Sequence, residues 1–256
     1  MLRAVTQSLL AVVVVLSFAA TQAQSGPGGP RKHPGPLDPR AAAPGDAAAA
    51  IQRAYDEISR ASLAGNDSAS ADGVNAGTLL LQSKTAYEEA LSNYQSGDYL
   101  GAREQAMSSA DLSRATEELL MGAATVTGVP SPNAMSLDVE ESLRTVRDLQ
   151  NVSYRLRNIE STLGDTKVVP ADAVSQARSL LEMGHQLEQQ AQDLLSRNQL
   201  QRAAHTVRAA DALTHAAEHL QNRYLLAAGL APVLPPRVQS FGPIPPLPAA
   251  GAGPPR

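Results

Sequence analysis

The chain has 256 residues, 43% of them hydrophobic and only 3% aromatic, with no Cys, no Trp and a formal charge of −4. Without cysteine there is no disulfide framework, thiolate metal centre, attached c-type haem or catalytic thiol. The length allows one or two modest domains.

Residues 1–23 read as a secretory signal peptide. Arg3 supplies the positive start, Leu9 to Ala20 form an apolar run, and Ala23 closes a small-residue cleavage site. The run is too short for a stable bilayer span. The expected address is therefore extracytoplasmic, periplasmic or secreted, and the 18 Arg against 3 Lys point to a GC-rich bacterial genome.

Residues 24–45 and 229–256 are dense in Pro and Gly, which predicts polyproline-II-like or disordered arms. The tail carries PxxP spacings over Pro232–Pro236 and Pro243–Pro248, read foremost as a spacer and otherwise as a ligand for an aromatic groove. Between the arms, residues 41–228 hold 15 basic and 24 acidic side chains, a net of −9. An acidic body with few aromatics argues against a nucleic-acid partner, since phosphate binding needs a clustered basic surface.

The body reads as helix throughout. A first helix over roughly 46–64 uses Ile51, Ala54, Tyr55 and Ile58. The second, 76–96, carries its apolar stripe on Leu79, Leu80, Ala86, Tyr87 and Ala90. Gly97 stops it and Asp98 caps the third, 98–124, whose stripe is small: Ala102, Ala106, Ser109, Ala110 and Ser113. After Pro130 and Pro132, Ser136 is expected to cap a helix that buries Val139, Leu143, Val146, Leu149, Val152 and Leu156, ending at Gly164. Pro170 opens the fifth helix. Arg197-Asn198 turns into the sixth, which Gly229 and Pro232 close.

Nine identical pairs recur at an offset of 100, among them Leu80/Leu180, Leu81/Leu181, Asp111/Asp211, Glu118/Glu218 and Leu120/Leu220. The fold expected is all-α, with about six helices as two three-helix units, 46–128 and 136–228, each ending in a long antiparallel αα-hairpin. With Phe18 in the signal peptide and Phe241 in the tail, the core must be Leu, Val and Ala with six tyrosines.

The stretch from Ala86 to Ala102, with its Tyr-rich first helix and Gly97-Asp98-Tyr99 turn, resembles a tetratricopeptide hairpin. The resemblance covers residues 78–112 and not a full array. It implies helical-hairpin packing and a protein-binding surface.

The one constellation with metal chemistry in its spacing lies in the last hairpin. His215, Glu218 and His219 match H-x-x-E-H, and Glu182 with His185 has the Glu-x-x-His spacing of di-iron bundles. Helix pairing sets His185 level with about residue 210, so the two motifs are candidates to meet. The helical wheel, however, sets His205, His215 and His219 away from the apolar stripe, as solvated side chains, and Glu117-Glu118 likewise. No serine sits in a nucleophile elbow and no glycine run precedes a strand–helix unit. The reading is therefore an exported, non-enzymatic helical scaffold or protein-interaction module of the cell envelope, its partner a protein or envelope polymer. No catalytic, cofactor or metal residue is assigned. The alternative is a metal- or stress-associated bundle using the His/Glu set of the last hairpin.

Overall fold

The computed structural model describes residues 42–64, 74–125, 135–163 and 167–233. The signal-peptide reading, most of the N-terminal arm, the tail beyond residue 233 and the stop at Gly164 lie outside the described residues. Six helices follow one another: α1 Pro44–Ala64, α2 Ala76–Ser96, α3 Tyr99–Ala124, α4 Met135–Leu163, α5 Ala171–Ser196 and α6 Leu200–Ala227. The described residues contain no β-strand, so the chain is all-α. None of these helices is long and apolar enough to cross a membrane.

Local chemistry explains most helix ends. Pro44 opens α1, where a missing N–H costs nothing, and Asp46 sits in the first turn against the positive end of the helix dipole. Asn75 caps α2 by accepting from the Thr78 N–H at 3.2 Å. Helix α4 starts at Met135, so Ser136 lies inside it rather than capping it.

The two hairpin turns share one construction. Gly97 takes φ +86°, and the Asp98 N–H donates to the Asn93 carbonyl at 2.9 Å. Asn198 takes φ +57°, and the Gln199 N–H donates to the Leu194 carbonyl at 2.9 Å. Asp98 then caps α3 through the Gly101 N–H at 2.9 Å, whereas Gln199 gives α6 no side-chain cap. We expect Gly97→Ala to cost about 1 kcal/mol and Asn198→Gly to gain somewhat less than about 1 kcal/mol, because only glycine enters the left-handed region without a Cβ clash. Urea midpoints of the two variants check both signs.

The equivalent turn residues are 101 apart, not 100, and burial follows the same shift. Ala76, Leu79, Ser83, Ala86 and Ala90 are the buried positions of α2; Ala177, Leu180, Gly184, Leu187 and Ala191, each 101 residues on, are buried in α5. The identity Leu81/Leu181 joins positions of opposite fate, 67% and 1% exposed.

All described residues belong to one compact unit. Helices α1, α2 and α3 pack on one another, as do α4, α5 and α6, and the most extensive contact in the molecule is between α3 and α6. Small residues permit close helix approach. Between α2 and α3, the Ser83 and Ser113 hydroxyls lie 2.7 Å apart and the Ser109 hydroxyl donates to the Ser83 carbonyl at 2.8 Å. At the matching place in α5, a Cβ on Gly184 would come within 2.9 Å of Leu156. The main core gathers Leu79, Leu112, Leu156, Leu180, Leu187 and Leu213 with their neighbours. Helix α1 is held by Ala54 against Ala90, Ala106 and Ala110, which bury little apolar area.

Four expected core residues are not in the core. Tyr55 and Tyr154 stand more than half exposed, and Leu143 and Val146 on α4 are 45% and 39% exposed. The buried face of α4 runs instead through Thr145, Leu149, Val152, Leu156 and Ile159. At 100° per residue Leu143 points almost directly away from it. Residues 230–233, the start of the Pro-rich tail, are held on the bundle. The Leu230 N–H donates to the Leu225 carbonyl, and Val233 packs against the main core.

Candidate functional site

Glu104, Asp111 and Glu118 are spaced seven apart on α3, so they line one face at two-turn intervals. That face meets α6 running the other way. His219 places Nδ1 2.8 Å from a Glu104 oxygen and Nε2 3.6 Å from Asp111. Four turns away, His205 Nδ1 lies 2.7 Å from Glu118, with Arg208 at 3.9 Å from the same carboxylate. The two clamps use one pairing in opposite senses, since Glu104 and His205, like Glu118 and His219, are 101 residues apart. Between them the helix surfaces are small. The Ser108 hydroxyl donates to the Ala216 carbonyl at 3.3 Å, and just beyond the second clamp a Cβ on Gly122 would stand 3.2 Å from that of His205.

Each flanking helix adds a charge to this seam. Arg155 of α4 donates to Glu218 through Nε at 3.2 Å and Nη2 at 2.6 Å, and to Asp211 through Nη1 at 2.7 Å. Such two-pronged contact is the guanidinium's strongest mode. Glu57 of α1, itself buried, lies 2.6 Å from Arg60 and 3.8 Å from Arg114, and Arg114 reaches Asp111 at 3.2 Å.

Burial sets the protonation of this cluster. It pushes Asp111 up to about 6, against the pull of His219, Arg114 and Arg53 and with the help of Asp211. It raises Glu218 despite the Arg155 hydrogen bonds and charge. It also works to raise Glu104, but there hydrogen bonds from His219 and Arg103, with their charges, win and hold the carboxyl low. His215 is driven down to about 4 by burial, against the attraction of Asp211 and with repulsion from Arg155, His219 and Arg114.

The structure divides the residues that the H-x-x-E-H spacing groups together. His215 faces Asp211 at 3.9 Å, Glu218 is taken by Arg155, and His219 crosses to α3. The two carboxylates on His219 sit at opposite ring nitrogens and share no point that a cation would occupy. His185 bonds Glu160 of α4 at 2.9 Å and Glu188 at 3.1 Å, while Glu182 stays exposed, so the Glu-x-x-His pair joins neither His215 nor His219. Among the described residues no group of three or more His, Asp or Glu is placed to hold a metal ion. The expectation that His205, His215, His219 and Glu118 are solvated fails: His205, His219 and Glu118 are largely covered, and His215 is partly covered, in or beside the α3–α6 seam.

Glu104, Asp111 and Arg155 were missed as members of the cluster. The seven-residue spacing of acids along a helix of small residues was the signal available for the first two. A separate cavity of about 280 Å³ lies where α4 and α6 end, among Asn158, Thr162, Gln221, Leu225, Pro232 and Val233. Compared with protein-family models, curated proteins and solved structures, the chain matches none.

Proposed function

We propose that this chain is an exported, non-enzymatic helical scaffold of the cell envelope that acts by binding a protein or envelope polymer. One observation carries the reading. The charged side chains of the last helix are spent inside the bundle: Asp211 and Glu218 on Arg155 of α4, and His205 and His219 on carboxylates of α3, where they join the two helix triplets. A buried ion-pair seam specifies which helices meet, a use of buried charge suited to a scaffold. We read the triplets as two copies of one unit, on the strength of the burial pattern 101 residues apart. The tetratricopeptide-like hairpin at 78–112 adds the implication of a protein-binding surface, and residues 1–23 the route of export.

Affinity recovery from envelope extract, with the mass of the free protein measured by light scattering, tests this reading. A defined partner supports it; a monomer that recovers nothing counts against it. A retained Met1 or Leu2 at the mature N-terminus removes the export claim. For the metal-bundle alternative, calorimetric titration with zinc or iron is expected to give no heat above buffer. A saturable heat lost in His215→Ala and His219→Ala would replace the scaffold reading with that alternative.

A further inference from the structure

Gln221 of α6 is 1% exposed and among the largest side chains that the fold covers completely. Its Nε2 donates to the Thr162 hydroxyl of α4 at 3.3 Å. That hydroxyl gives its own single proton to the Ile159 carbonyl at 2.9 Å, so toward Gln221 it can only accept. The carboxamide is thereby oriented, nitrogen to Thr162. Its Oε1 stays buried with no hydrogen-bond partner among the described residues. A buried acceptor without a donor keeps the full cost of its desolvation, and native folds leave few such atoms.

Gln221 and Thr162 both line the cavity of about 280 Å³ at the ends of α4 and α6, so the oriented carboxamide stands in its wall. Asn158, one helical turn before Thr162, adds a second and partly exposed carboxamide. The rest of the wall is apolar. Leu225 comes from α6, and Leu230, Pro232 and Val233 follow Gly229, whose φ of +74° turns the chain back. Two bonds hold this returning segment: Leu230 N–H to the Leu225 carbonyl and Val233 N–H to the Asn222 side-chain oxygen, each 2.8 Å. Leu230 itself is 46% exposed, which makes the segment the outer wall. Among the described residues that line the cavity, none is charged.

These walls select an occupant by chemistry. An ion would give up its hydration with no opposite charge to meet it. A hydrocarbon would leave the Gln221 oxygen as unpaired as before. We propose that the cavity binds a small uncharged carboxamide on a compact apolar body. Its N–H donates to Gln221 Oε1, its carbonyl accepts from the Asn158 amide, and its body lies against Leu225, Leu230 and Val233. At about 30 Å³ per water the space holds about nine waters, the lower end of ligand-site volumes. The site stands independently of the scaffold reading.

Benzamide and toluene, the same ring without the amide, are the probes. In the full-length protein with labelled Leu and Val methyls, benzamide should shift Leu225, Leu230 and Val233 saturably. It should bind about tenfold tighter than toluene, the worth of the added hydrogen bonds. Q221M removes the acceptor at similar volume and should bring the two probes within about twofold of each other. N158A, at a partly exposed position that the fold can spare, should weaken benzamide about threefold and leave toluene unchanged. Equal affinity of the two probes in the natural chain overturns the proposal, as does the absence of a saturable benzamide shift. Shifts confined to other methyls, or benzamide binding that both variants leave intact, overturn it too.

Discussion

Arg155→Met is expected to destabilise the fold by about 3–5 kcal/mol, the range for breaking a buried ion pair on one side only. Arg155 and Glu218 are each less than a tenth exposed, and the guanidinium holds both Glu218 oxygens. Removing it leaves a carboxylate between α4 and α6 with burial already raising its affinity for a proton. The deficit should therefore shrink in acid, where Glu218 takes up the proton. Asp211, whose side chain is 41% exposed, is the partner that water can replace. The double variant Arg155→Met/Glu218→Leu should recover most of the loss, because it removes both charges and fills the space with apolar volume. Urea unfolding of the wild type, the singles and the double closes the cycle. A loss below about 1 kcal/mol in the first variant would mean that Arg155 does not pin α4 to α6.

Helix count and both hairpin turns were legible in the sequence because each rests on local chemistry: 3.6-residue periodicity, Gly97 before Asp98, and Asn198 in a position only Gly or Asn fills readily. The face each residue presents was less legible. Identity counting at an offset of 100 paired Leu81 with Leu181, since composition repeats without regard to burial; geometry sets the equivalence at 101. In α4 the apolar residues of 143–163 form two overlapping lines. Leu143 and Val146 belong to the outer one, and only the packing of α4 on α5 and α6 tells the lines apart.

The seam was the least legible part of the molecule. A helical wheel reads a residue against the apolar stripe of its own helix, and His205 and His219 do lie off that stripe. They are covered because α6 packs on three helices, against α5 with its Leu face, against α4 through Asp211 and Glu218, and against α3 with its Ala and His face. Glu104 and His219 are 115 residues apart, and no local period encodes such a pairing. What the sequence did contain was the complementary pattern: acids at 104, 111 and 118, and histidines at 205 and 219, fourteen apart.

Asp111→Asn should stabilise the protein at pH 7.5 by about 1–3 kcal/mol and change it little at pH 4. Asp111 is 6% exposed, and burial raises its carboxyl from 3.8 in the unfolded chain to about 6. A raised carboxyl contributes stability that is complete below the unfolded value and is lost as pH rises through about 6. The difference of about two pH units corresponds to about 3 kcal/mol at most. Asparagine keeps the shape of the protonated acid and escapes the penalty. His215 acts in the other direction. Its folded value, about 4, lies below the 6.5 usual for histidine, so its contribution is present above 6.5 and is lost as pH falls toward 4. In the natural chain the two slopes oppose each other over nearly the same window. Removing Asp111 takes away its opposing slope, so the stability advantage of the variant over the natural chain should grow from pH 4 to about pH 6. Chemical denaturation of both proteins across that range reads the difference directly, and the shared background of other carboxylates, Glu218 among them, largely cancels. If Asp111→Asn instead loses stability at pH 7.5, the pull of His219 and Arg114 on the ionised carboxylate outweighs its burial. The seam would then be held by that charge rather than in spite of it.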